Sequence, residues 1–304
     1  MVKNTKEVGL FRTKGKTGCE RNTGMPDLLR KKKSCAEMDQ KETEAVEQNQ
    51  EFYIDSDGIR LHAKLDFPEN FGDRGPLMLL FHGFTGHMEE PHIVGARDAA
   101  EDAGLAVLRV ELYGHGQSEG RFEHHTLYKW ITNALSVMDY VKTLDFVTDL
   151  YLCGHSQGGL LAVLLAGMRP DDFRAVIPLS PALQIPEGAR EGNLLGITFD
   201  PLHIPEKLPC WDGRSLDGDY VRTAQTIHVE DEISRYHGPV CIIHGDADET
   251  VPIAASILAA EQYENAVLET IPGDTHCYDY HLDEMKKSLK EFLLKKLAKP
   301  EKIG

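Results

Sequence analysis

Ser156 lies in Gly154-His155-Ser156-Gln157-Gly158-Gly159, directly after an apolar run (Leu150 to Cys153) and at the opening of a helical one (Gln157 to Met168). A serine on so tight a strand-to-helix turn is held in strained backbone geometry, with its hydroxyl lifted clear of the turn where it can attack a carbonyl carbon. The flanking glycines are needed because side chains there would meet the neighbouring strand and helix. The helix N-terminus behind the serine favours negative charge in front of it. A hydroxyl is a weak nucleophile near neutral pH, so acyl transfer also demands a base, a group that orients the base, and amide donors for the developing oxyanion.

Fourteen histidines compete for the role of base. His276, in Gly273-Asp274-Thr275-His276, falls between the last strand-like run and the last helical one, on a loop that can reach the serine from the carboxyl edge of a sheet. His82, His155 and His244 lie in or beside strand-like runs and suit structural hydrogen bonding, and His281 falls within the next helix. The orienting carboxylate is expected after the preceding strand, in His244-Gly245-Asp246-Ala247-Asp248-Glu249. Asp248 is preferred because the loop must travel beyond the strand end to meet the histidine, whereas Asp246 suits bonds to turn amides. The order serine, aspartate, histidine is one of the known triad orders. The oxyanion donors are expected to be the backbone N–H of Gln157 and that of Phe84, in His82-Gly83-Phe84-Thr85-Gly86.

These residues must be held by regular elements. Gly58 to Phe67 alternate as a strand; Leu77 to Phe81, Ala106 to Glu111, Leu150 to Cys153, Ala175 to Leu179, Val240 to His244 and Ala266 to Ile271 read as further strands. Helical stretches fall between them at His92 to Ala103, Leu127 to Leu144, Gln157 to Met168 and Ala254 to Glu264, with a last helix ending near Leu297. Continuous apolar strands alternating with helices imply an α/β fold, a mostly parallel sheet covered on both faces. The alternation breaks at residues 182–236, which carry four prolines with Phe199, Trp211 and Tyr220. So long an excursion in a compact domain is usually functional, and it is expected to be a lid.

The 304 residues carry a net charge of −16. The first 37 residues are net +6 and the remainder −22, so the main body lacks the basic face that a nucleic-acid partner requires. Residues 1–50 have few apolar side chains and no periodicity, and are expected to be a disordered extension of a single catalytic domain, 51–304. No apolar run approaches the roughly 20 residues that span a bilayer, so no membrane partner is expected. The N-terminus lacks the apolar segment of a secretory signal, and a cytoplasmic location is expected. Six cysteines without C-x-x-C spacing are expected to be reduced thiols, with no metal and no cofactor.

Taken together, His82-Gly83-Phe84-Thr85-Gly86, Glu111-x-x-Gly114-x-Gly116-x-Ser118, Gly154-His155-Ser156-Gln157-Gly158, Gly245-x-x-Asp248 and Gly273-Asp274-x-His276 resemble the α/β-hydrolase superfamily over the chain from about Phe52 onward. Glu191-Gly192-Asn193 through Pro201, with Asp219 to Gln225, is similar to bacterial cinnamoyl or feruloyl esterases. That resemblance implies hydrolysis of small hydroxycinnamate esters under an aromatic lid, with Tyr220 and Trp211 as substrate-binding residues. Gly188 and Leu195 offer no polar side chain toward ring hydroxyls. Monoacylglycerol lipase-like or acyl-aminoacyl peptidase-like hydrolysis stays open, because a triad reports acyl transfer and not the leaving group. So does a non-catalytic ligand-binding relative, and the sequence leaves room for a homodimer.

Overall fold

The computed structural model describes residues 49–298. The expected N-terminal extension lies outside the described residues except for Asn49 and Gln50, which belong to the first strand.

Eight strands form one sheet: β1 (Asn49–Ser56), β2 (Ile59–Asp66), β3 (Gly75–Phe81), β4 (Ala106–Val110), β5 (Val147–His155), β6 (Ala175–Leu179), β7 (Val240–Gly245) and β8 (Ala266–Ile271). Their spatial order is β1-β2-β4-β3-β5-β6-β7-β8. β1 and β2 pair antiparallel, as do β2 and β4, and all the pairs from β4 onward are parallel. The helices are α1 (Pro91–Asp102), α2 (Leu127–Val141), α3 (Gln157–Met168), α4 (Ile185–Glu191), α5 (Gly218–Ala224), α6 (Val229–Arg235), α7 (Ala254–Gln262) and α8 (Leu282–Leu297).

The continuous apolar strands owe their composition to burial on both faces. In β3, Leu77, Leu79 and Phe81 join the cluster that includes Trp130 of α2 and Leu160 and Leu164 of α3. Met78 and Leu80 point the other way, toward Ile93 and Ala96 of α1 and Met285 and Leu289 of α8. Leu79 is fully buried. Leu79→Ala should lower unfolding free energy by about 2–5 kcal/mol through lost transfer energy and the cavity left behind. Equilibrium denaturation checks this; a loss of only about 0.5 kcal/mol, as on a surface, would contradict the placement.

β1 carries Glu51 and Asp55 among its exposed positions and pairs along one edge only, which hides its strand character in the sequence. The 182–236 stretch contains α4, a short hairpin (Asn193–Leu194 with Ile197–Thr198), a second hairpin (Lys207–Pro209 with Ser215–Asp217), α5 and α6. The last helix of this stretch packs on the main body: a Cβ at Gly167 of α3 would sit 2.4 Å from the Glu232 carbonyl oxygen of α6. No helix among the described residues is long and apolar enough to cross a membrane.

Candidate active site

At the turn from β5 to α3, Ser156 adopts φ 55° and ψ −118°, a conformation that L-residues rarely occupy. The neighbours that over-determine it are backbone. A Cβ at Gly154 would sit 2.2 Å from the Gly158 carbonyl oxygen, and one at Gly158 would sit 2.4 Å from the carbonyl oxygen of His82. Only glycine allows strand, turn and the His82 loop to approach so closely. The Ser156 amide donates to the Leu179 carbonyl at 2.9 Å, tying the turn to the end of β6.

His276 lies on the loop between β8 and α8, and its Nδ1 is 2.6 Å from Oδ2 of Asp248. Asp248 has a fully buried side chain, set after β7. Its Oδ1 accepts the amides of Thr250 and Val251, each at 2.8 Å, and its Oδ2 also faces Nε2 of His244 at 3.1 Å. Burial by itself would raise this carboxyl. The hydrogen bonds from His244 and His276, the charge of His276 and the Val251 amide outweigh that effect and hold it well below the usual carboxylate range. Asp248 is thus an ionised acceptor, and His276 carries its proton on Nδ1 with the Nε2 lone pair free.

His244, expected to be a hydrogen-bonded structural residue, is buried and bonded within this network. Its Nε2 also lies 2.9 Å from the Val251 carbonyl, and its Nδ1 lies 2.8 Å from the hydroxyl of Ser256 on α7. With two acceptors facing Nε2, the proton sits there, and the Ser256 hydroxyl donates to Nδ1. Asp246 is exposed and accepts the Gly273 amide at 2.6 Å, joining the two loops. Asp274, fully buried, accepts the amides of Thr275, Tyr280 and His281 and shapes the loop that carries His276. His155 contributes from the other side, with Nε2 donating to the His276 carbonyl at 2.8 Å.

Ser156 and His276 line one cavity of about 250 Å³ together with Gly83, Phe84, Leu195 and Trp211. A Cβ at Gly83 would approach the Ser156 Cβ to 3.2 Å, so the loop after β3 lies against the serine. Phe84 follows the first residue of a turn closed by the Gly86 amide on the Gly83 carbonyl, which leaves its own N–H unused by the turn. Gln157 is the first residue of α3, where a backbone N–H has no partner within the helix.

The two aromatics of the expected lid differ in placement. Trp211 is 39% exposed, lines the cavity and meets the Phe84 ring edge-on at 5.6 Å. Tyr220, expected to meet the substrate ring, is fully buried and is not among the residues lining the cavity. Its hydroxyl donates to Oε1 of Gln157 at 2.6 Å and its ring packs edge-on against Phe84 at 5.4 Å. The hydroxyl expected to meet the substrate ring thus has a buried protein partner. Leu195, at the tip of the first lid hairpin, has φ 47° and places an apolar side chain at the cavity.

A family model described as serine aminopeptidase, S33, matches residues 73–208. The structure is similar to that of Est1E from Butyrivibrio proteoclasticus with ferulic acid bound, with a TM-score of 0.81 and 56% identity over 82% of this chain and all of that one. A second Est1E structure aligns with a TM-score of 0.78 and 54% identity, covering 82% and 99% of the two chains. Among curated proteins, the monoacylglycerol lipase of Mycolicibacterium smegmatis is 23% identical over 252 residues, 72% of this chain and 86% of the relative.

Proposed function

Since the chain belongs to the α/β-hydrolase superfamily of serine hydrolases, we propose that it hydrolyses hydroxycinnamate esters through an acyl-enzyme on Ser156, with His276 as base and Asp248 as the group that orients it. The observation that carries this reading is the single small cavity onto which a strained serine and an aspartate-paired histidine both open.

In this mechanism Nε2 of His276 takes the Ser156 proton as Oγ attacks the ester carbonyl. The N–H groups of Phe84 and Gln157 receive the oxyanion, and the imidazolium returns its proton to the departing alkoxide. Water then repeats the sequence on the acyl-enzyme. Asp248, ionised and already aligned, stabilises the imidazolium in both halves.

The acyl preference rests on size and shape. The cavity of about 250 Å³ at the serine has room for a short planar acyl group, and it adjoins a second of about 530 Å³ that shares Leu195, Trp211 and Thr250 and could take the leaving group. The Trp211 and Phe84 rings, set at 89° to one another, offer a face and an edge to such a ring. Aromatic contacts of this kind contribute about 0.5–1.5 kcal/mol each beyond burial. Est1E, similar to this chain over all of its own length, was solved with ferulic acid.

Specificity constants for methyl ferulate, chlorogenate, short and long p-nitrophenyl esters, a monoacylglycerol and a peptide anilide test the proposal. Methyl ferulate or chlorogenate should exceed the long-chain esters. Trp211→Ala should lower kcat/KM on methyl ferulate by about 2- to 10-fold more than on p-nitrophenyl acetate, the equivalent of one aromatic contact. Tyr220→Phe should act on both substrates alike, since its hydroxyl serves Gln157 and not the cavity. A preference for long-chain monoacylglycerol would replace the acyl assignment with a lipase-like one, and failure of a serine phosphonate to label the protein would remove catalysis altogether.

A further inference from the structure

We infer that His92, His155 and Cys277 form a binding site for a zinc-type divalent cation, and that the bound ion inhibits hydrolysis at the neighbouring serine. The second half rests on the catalytic reading above; the first does not. The three residues come from separate elements: His92 from α1, His155 from the end of β5 beside Ser156, and Cys277 from the loop beside His276. One ligand atom of each lies within 4.8 Å of the other two. This is why no ligand spacing appears in the sequence.

Two observations point to a ligand there. His92 and His155 are 2% and 3% exposed, and Nε2 of His92 and Nδ1 of His155 have no hydrogen-bond partner among the described residues. A buried polar atom left unpaired is destabilising, so two in one place ask for an occupant. The hydrogen bond from His155 Nε2 to the His276 carbonyl sets the tautomer, leaving a lone pair on Nδ1. A ligating histidine whose other nitrogen donates to a carbonyl is the usual arrangement in metal sites. Burial also keeps both rings neutral, pushing His92 down to about 4 and His155 well below its ordinary value.

The chemistry of the donor set selects the ion. Two imidazole nitrogens and a sulfur suit zinc, which binds them at roughly 2.0–2.1 and 2.3 Å in a tetrahedron whose ligand atoms are about 3.3–3.8 Å apart. The Cys277 thiol, whose pKa burial raises to about 12, gives up its proton to solvent as the metal–sulfur bond forms. Cys277 and Glu90 line the catalytic cavity, so the ion has a way in. The Glu90 carboxylate, 3.7 Å from His92 Nε2, lies beside the three ligands and favours a cation there. A dication here opposes the imidazolium that must form on His276 in each half-reaction.

The test uses the full chain with Cys19→Ser and Cys35→Ser, which leaves Cys277 beside the three other described thiols. Titration with Zn2+ should reveal one strong site, weakened by at least about 10-fold in Cys277→Ser and in His92→Gln. Co2+ should give a thiolate charge-transfer absorption that Cys277→Ser abolishes. The metal-free His92→Gln enzyme should turn over like its parent, and its inhibition by Zn2+ should shift in parallel with its affinity. Circular dichroism confirms that each variant is folded, and His92→Asn replaces His92→Gln if it is not. Equal Zn2+ uptake by parent and variants, or no uptake by the parent, overturns the site. Uptake without loss of rate overturns the inhibition, whereas a metal-free parent that hydrolyses no ester overturns the catalytic proposal and leaves the metal site standing.

Discussion

Ser156→Ala is expected to reduce kcat on methyl ferulate by about 10^6-fold while the protein stays folded. The size of the effect follows from interdependence: without Oγ the base has no proton to take, and the oxyanion donors act on water attack alone, which leaves only about 10^3–10^4 over the uncatalysed rate. Stability should be spared for a structural reason. The Ser156 hydroxyl makes no hydrogen bond to another of the described residues, while the turn around it is held by backbone contacts that alanine keeps, such as the Ser156 amide on the Leu179 carbonyl at 2.9 Å. His276→Ala should be equally severe, and the double variant no worse than either alone. Single-turnover rates beside melting curves check this. A folded Ser156→Ala protein retaining a substantial fraction of its rate would sink the nucleophile assignment.

Asp248→Asn is expected to cost about 10^4-fold in kcat, with a measurable loss of stability. The carboxylate is used on both oxygens: Oδ1 takes the Thr250 and Val251 amides, and Oδ2 faces His276 and His244. An amide has one acceptor oxygen. If that oxygen keeps the two backbone donors, the new NH2 faces His276, which must then place its proton on Nε2 and can no longer accept the serine's. If the group turns over, the loop amides lose their acceptor, at about 1–3 kcal/mol for each group left unpaired. Asp246→Asn should be mild by contrast, because an amide oxygen can still accept the one Gly273 N–H. A larger kinetic loss for Asp246→Asn than for Asp248→Asn would move the triad acid.

The same network predicts the acid side of the pH profile. Asp248 is held well below the usual carboxylate range, so it stays ionised on mild acidification and its own protonation should not limit kcat/KM there. For stability the sign is that of a depressed acid: its contribution is complete above the unfolded value of about 3.9 and is lost only as pH drops toward the lower folded one. Asp248→Asn should flatten that part of the acid-unfolding curve.

Much of the framework was legible in the chain itself. Runs such as Leu77 to Phe81 are of the kind found in strands buried on both faces, and the glycines around Ser156 point to a turn whose neighbours are backbone, because periodicity and local turn chemistry are short-range properties. The half-exposed β1 escaped notice for the same reason, having an edge pattern without a buried run. What only the tertiary structure decided were the contacts between segments far apart in sequence. The Tyr220 hydroxyl is bonded to Gln157, and α6, within the stretch expected to be lid, packs on α3. His244 became a partner of Asp248, and His92, His155 and Cys277 met at one point. Where a side chain ends depends on which distant backbone packs beside it, and composition and spacing do not record that; they specify which residues can do chemistry, while the packing of loops and lid selects which of them face the same space.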